Sequence, residues 1–286
     1  MEAGIPRILR ALTTVGAIGF GVLAYVYLTL PDVRPLATTN PTTTAWMEMR
    51  ARQARAEGKT PRHQHRWVRY SRISPNLRSA VLAAEDGAFF EHEGVDYAEL
   101  RKAVEDAMEK GTEFRGASTL TQQLAKNLYL SPSRDPLRKL RELIITRRLE
   151  ANLTKARIFE IYLNVVEWGD GIWGAEAAAR AHFGVSASAV SREQAALLAG
   201  SLINPILYSP SKPPRRLLRR QQIILGRMRA YTPPPPDPVA RPRETAPSAE
   251  PPINDELASP EAIETNEPDS APPPEPAVPP AEPAGN

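Results

Sequence analysis

The chain has 286 residues, with 36 Lys+Arg, 33 Asp+Glu, four histidines and no cysteine. That composition excludes a disulfide framework and any thiolate-held metal, and it leaves little to support a histidine-ligated one. The net charge of +3 conceals an uneven distribution: residues 1–230 carry 34 basic against 22 acidic side chains, and residues 231–286 carry 2 against 11.

In chain order, residues 1–7 form a short cytoplasmic N-terminus, and residues 8–30 (ILRALTTVGAIGFGVLAYVYLTL) are charged only at Arg10. Such a run, at about 1.5 Å per residue, matches a hydrocarbon core of roughly 30 Å. No small-residue cleavage site follows it, so an uncleaved membrane anchor is expected rather than a signal peptide. Arg7 and Arg10 before the span, against Asp32 and Arg34 after it, favour a cytoplasmic N-terminus and a body outside the cytoplasm. Residues 31–66 read as a polar linker or membrane-proximal segment, with Arg50, Arg52 and Arg55 solvated or facing lipid headgroups.

From residue 67 to 230 the periodicity is helical, without sustained alternating strands. Ser74-Pro75 is an N-cap with proline at the first helical position, and predicts a helix to about Asp86. Helices follow over 97–110, 118–127, from the Asp135-Pro136 start to 152, after Thr154, over 174–182, after the Ser191/Gln194 capping box, and over 215–230. The expected body is one mostly α domain. Residues 231–286 hold 18 of the 30 prolines and are expected to be a disordered, acidic tail.

Several chemistries are unsupported. There is no Gly-x-Ser-x-Gly elbow, no Ser-x-x-Lys with a later Lys-Thr-Gly, and no glycine-rich phosphate loop opening a helix. Carboxylates are the remaining candidates. Glu85 and Asp86 end the apolar run AVLAA, and Glu142 lies in RKLRELIITRR, where Arg138, Arg141, Glu142 and Ile145 share a helical face. With Lys126 and Arg134 upstream, this charge suits an anionic group such as a phosphate. Ordinary surface ion pairs remain the alternative for Glu142, as capping does for Asp86.

The residues then resemble the peptidoglycan glycosyltransferases, specifically the monofunctional biosynthetic transglycosylases related to the first domain of class A penicillin-binding proteins. Glu85-Asp86-x-x-Phe89-x-x-His92 matches the first motif, and Gly116-Ala-Ser-Thr-Leu-Thr-Gln-Gln123 the second, with Leu120 where isoleucine is usual. Arg138-Lys139-x-x-Glu142 is the third, and Ile161 to Gly169 with Gly174, Ala177–Ala179 and Phe183-Gly184 resembles the fourth. Glu193 to Ala199 with Asn204-Pro205 looks like the fifth; His182 stands where tyrosine is frequent.

The resemblance implies a lysozyme-like helical domain with a small membrane-proximal subdomain. It also implies polymerisation of lipid II into linear glycan strands, with inversion and release of undecaprenyl pyrophosphate. Glu85 would be the general base, and Glu142 would organise the cationic region as the second catalytic carboxylate. Asp86, Ser118, Gln122, Lys126, Asn127, Arg134, Arg138, Lys139 and Arg141 would bind substrate. For Ser118 and Gln122, helix capping stays open beside that role. No cofactor is obligatory, with Mg2+ or Mn2+ near Glu142 left open. Trp168, Trp173, Tyr162 and Asn164 read as core, and loop 110–116 as a candidate flap over the acceptor. Expected partners are lipid II and the growing glycan, the bilayer of the inner membrane and, through the tail, other cell-wall synthesis or division proteins; nucleic acid is not expected. A lytic transglycosylase and a catalytically silent scaffold are the competing readings.

Overall fold

The computed structural model describes residues 7–111, 118–130 and 136–230. Arg134, the helix start at Asp135, the centre of the expected flap and the proline-rich tail lie outside the described residues.

Helix α1, Arg7–Leu28, contains a 20-residue apolar stretch from Leu9 with a mean hydropathy of 1.8. Leu12, Val15, Ile18, Phe20 and Leu28 are exposed along it. It is long and apolar enough to cross a membrane. At its C-terminal end Val26 is buried.

The segment expected as a linker is structured. Thr44 caps helix α2, Ala45–Ala56, by accepting from the Met47 N–H. Of its twelve residues only Met47 is fully buried, so the apolar stripe that would reveal a helix is almost missing. Tertiary bonds hold it instead: Arg50 Nε donates to Glu167 at 3.1 Å and Trp46 Nε1 to the same carboxylate at 3.3 Å. The two-residue strand β1, Gln64–His65, follows. The body therefore begins well before residue 67.

Ser74 and Pro75 start helix α3, Pro75–Glu85, as their chemistry predicts, and the chain leaves the helix at Asp86. Asp96 caps α4, Tyr97–Lys110, which ends on Gly111 in the left-handed conformation. Thr119 and Gln122 form a reciprocal capping box on α5, Leu120–Tyr129, so that helix starts later than expected. Helix α6, Pro136–Asn152, is followed by α7, Lys155–Val165, capped by Thr154.

Residues 158, 159 and 161–165 of α7 are all buried, which makes it the central helix of the domain. Asn164 within it is fully buried yet satisfied. It accepts from Val68 N at 2.8 Å and donates to Val68 O at 2.9 Å and Glu160 O at 2.8 Å, tying the strand-like approach to α3 onto the core.

Strands β2, Glu167–Gly169, and β3, Ile172–Trp173, complete a small sheet of order β1-β3-β2, parallel then antiparallel. Strands of two or three residues carry no readable alternation, which explains why the sequence does not disclose them. Gly174 opens α8, Ala175–Phe183, at a φ of 82°; a Cβ there would lie 2.5 Å from Asn164 O. The Ser191/Gln194 capping box starts α9, Arg192–Ser201. Helix α10, Arg215–Arg227, buries Leu217, Gln221 and Ile224, and a 3-10 turn carries the chain to Ala230.

Candidate active site

A cavity of about 510 Å³ opens at the C-terminal end of α3, lined in part by Glu85, Asp86, Glu99, Lys102, Ser118 and Arg227. Glu85 is the last residue of α3, with a side chain 14 % exposed. Burial raises its carboxyl above the usual carboxylate range; a bond from Gln123, the nearby Arg220 guanidinium and Lys126 pull it back. Gln123 Nε2 donates to Oε2 at 3.1 Å, and Arg220 Nη2 approaches Oε1 at 3.3 Å. Arg220 comes from α10, almost the far end of the domain in sequence. It lies three residues after the buried Leu217 and four before the buried Ile224, beside the buried face of α10, whereas Arg216 and Arg219 are exposed.

Asp86, one residue on, is differently placed. Its carboxylate is buried, accepts the Leu120 N–H at 2.8 Å and faces His92 Nε2 at 3.0 and 3.2 Å. The Gly94 N–H donates to His92 Nδ1, which leaves the ring proton on Nε2, directed at Asp86. Asp86 thus ties the end of α3 to the start of α5. That commitment is the capping role, although the residue also lines the cavity.

Helix α5 places Gln123, Lys126 and Asn127 three and four residues apart on adjoining positions of one face. Asn127 is buried. The Lys126 ammonium stands 5.9 Å from the Trp46 ring centroid, so the overlooked α2 helps build the site. Burial lowers the pKa of Lys126. The Glu142 carboxylate opposes that shift, Arg138 and Lys139 reinforce it, and Glu85 also opposes it. One ammonium therefore senses both carboxylates, Glu85 and Glu142, that the sequence singles out.

Glu142 is 4 % exposed and both its oxygens are engaged. Arg138 Nη1 donates at 2.9 Å, and Lys139 Nζ donates to the other oxygen. Arg138 is half-buried and Lys139 exposed. Arg141 is also half-buried, outside this trio. Among the described residues no group of three or more His, Cys, Asp or Glu side chains could hold a metal ion. A lone carboxylate already flanked by two cations is a poor seat for Mg2+ or Mn2+, which favour several oxygen ligands.

Ser118 is exposed on the cavity wall, whereas Gln122 is buried in the capping box, its Oε1 accepting from Thr119 N at 3.0 Å. Trp168 and Trp173 are fully buried in the core rather than presented as sugar platforms. Tyr162 is buried as well, and its hydroxyl donates to Gln123 Oε1 at 3.0 Å.

The family model described as Transglycosylase matches residues 52–229. The biosynthetic peptidoglycan transglycosylase of Nitrosospira multiformis is 48% identical over 189 residues, 66% of this chain and 82% of that protein. Its counterparts in Laribacter hongkongensis and a Janthinobacterium species are 50% and 51% identical over 191 residues, 66% of this chain and 83% and 82% of theirs. The family match begins inside α2, in keeping with the packing of that helix against the body.

Proposed function

The chain belongs to the transglycosylase family, and from that premise we propose that it polymerises lipid II into linear glycan strands by inverting glycosyl transfer, releasing undecaprenyl pyrophosphate. Its activity at the coarser level is peptidoglycan glycosyl transfer by a lysozyme-like helical domain. The observation that carries the finer reading is that Lys126 is influenced by two unlike carboxylates, a cavity-lining Glu85 held by Gln123 and Arg220 and a Glu142 bound by two cations.

In this reading Glu85 removes the proton from the acceptor 4-hydroxyl as that oxygen attacks the anomeric carbon of the growing chain. The bond from that carbon to the pyrophosphate breaks on the opposite face. A largely desolvated carboxylate is a stronger proton acceptor than one in water, and a base of this kind contributes on the order of 10²–10⁴-fold. Pyrophosphate leaves without protonation if positive charge meets it. Lys126, Arg138 and Lys139 supply that charge, and Arg134 and Arg141 are proposed to extend it. A glycosidase, by contrast, needs a protonated acid for its sugar leaving group, and the described site offers cations on that side. Ser118 and Asn127 are proposed substrate contacts; Asp86, Gln122 and Glu142 shape and hold the site. No step is routed through a metal ion.

We read α1 as a single-pass anchor that holds the domain outside the cytoplasmic membrane, where the polyprenyl tail keeps the substrate. Its last turn meets α6: the Arg148 guanidinium lies 4.5 Å from the Tyr27 ring centroid and donates to Tyr27 O at 3.2 Å. Six residues of helix, about 9 Å, separate Arg148 from Glu142. The proposed leaving-group site is thereby kept near the bilayer surface.

The test is polymerisation of lipid II by the full chain and by Glu85→Gln. The wild type should yield long, lysozyme-sensitive strands, and the variant should lose at least about two decades of rate. Shortening of pre-formed glycan, or a variant as fast as wild type, would refute the reading.

A further inference from the structure

Glu85 Oε2, once ionised, can only accept hydrogen bonds, so the Gln123 amide must face it with its NH2 group. The opposite end of the amide, Oε1, must then meet a donor. The donor present is the Tyr162 hydroxyl, 3.0 Å away on the central helix α7. Flipping the amide would set Oε1 against the carboxylate and take from the phenol proton the acceptor it has in Gln123. Tyr162 itself is fully buried, its ring fixed by the packing of α7. Burial and the nearby Glu85 and Asp86 charges hold its hydroxyl far above its ordinary pKa, so it stays protonated throughout the working range.

We propose that Tyr162 is a positioning residue, locking the Gln123 amide in the single orientation that donates to Glu85 and thereby setting the base's rotamer and its readiness to take a proton. The inference rests on the proposed role of Glu85 as the base. Tyr162 touches neither Glu85 nor the cavity wall; it acts through Gln123.

The charged and titratable groups facing Glu85 are Lys126 from α5, Arg220 from α10 and Tyr162 from α7, with Asp86 adjacent in the chain. Asp96, which caps α4, Glu99 and Lys102 within it, and Arg227 of α10 stand on the wall of the same cavity. Helix α9, packed along α3, carries its charges only in its first turn, where Arg192 donates to Leu225 O and Glu193 accepts from Ser191. Of the groups that draw the raised Glu85 back, the Gln123 bond comes first. Losing its orientation removes the first of the influences that oppose burial and leaves Arg220 and Lys126 to act alone. The acid limb of the rate profile then moves to higher pH.

Two variants test this in the full chain on lipid II: Tyr162→Phe, which removes one oxygen and keeps the ring, and Gln123→Met, which keeps the volume and removes both polar ends. Each should lower kcat about tenfold, the effect of one hydrogen bond to a charged group, with KM nearly unchanged and the acid limb displaced upward. The double variant should match either single variant, since both break the same link. A wild-type profile in either variant, or multiplied effects in the double variant, would overturn the proposal. Gln123→Met leaves Tyr162 in place, so a wild-type profile in that variant overturns the proposal even if Tyr162→Phe folds poorly. Glu85→Gln separates the two levels: an active Glu85→Gln enzyme sinks the base assignment, whereas an inactive one beside an unaffected Gln123→Met sinks only the role of Tyr162.

Discussion

Glu85 is a costly residue to the fold, and the cost has a definite pH signature. Its carboxyl is raised by burial, so between the unfolded value, near 4.5, and the higher folded value the native state binds more protons than the unfolded one. Stability therefore falls as pH rises through that window, and the full penalty stands at neutral pH. Glu85→Gln should accordingly raise the melting temperature at pH 7–8. The gain should shrink to nothing near pH 4, and differential scanning calorimetry at the two pH values checks it. Arg220 acts on the other oxygen, Oε1. Arg220→Met removes a charge that draws Glu85 down, so the acid limb of the pH–rate profile should move upward while the alkaline plateau is largely kept. An unmoved limb would mean that the guanidinium does not set the base's affinity for its proton.

The helices that form the site are specified to different degrees by their own residues. Helices α3, α4, α7 and α9 carry their caps in the chain: Ser74 with Pro75, Asp96, Thr154, and Ser191 with Gln194. Their starts follow from local chemistry alone. Helix α2 does not announce itself, because an arginine-rich stretch with one buried methionine looks the same whether solvated or docked. Its place is decided by Glu167, more than a hundred residues later. Asn164 shows the same dependence within α7. Asn164→Leu leaves the Val68 N–H and C=O without partners and should destabilise the domain by about 2–4 kcal/mol, read by urea unfolding. The expected loss of activity would follow the unfolded fraction rather than a shift in pH profile.

For the whole molecule, the proposed division of work is between the apolar helix α1 and the domain. Leu9–Leu28 of α1 is largely uncovered by the domain, and its last turn rests on α6. Removing residues 1–24 keeps Tyr27, and with it the seat of Arg148, but discards most of the apolar length. The shortened protein should melt within about 2 °C of the full chain, a surface-sized change. It should polymerise lipid II in detergent at near its normal rate and lose activity on lipid II in vesicles. Equal rates on vesicles would mean that the helix plays no part in reaching the substrate.

Composition, caps and five ordered motifs were sufficient for the helical fold class and the apolar N-terminal helix, and they single out Glu85, Lys126, Arg138, Lys139 and Glu142 as candidates, because each is written in neighbouring residues. Gln123 was visible as a motif member, but not as the donor to Glu85. Asp86 and Glu85 both line the cavity, but only tertiary structure shows that Asp86 takes the Leu120 N–H and His92 while Glu85 takes Gln123 and Arg220, since adjacent like carboxylates differ in the partners they meet. It alone supplies Arg220 from α10, Trp46 from α2 and the Tyr162 hydroxyl from α7. A hydrogen bond or a burial penalty between residues tens of positions apart leaves no local pattern to read, and those long-range terms are the ones that set the protonation of a site.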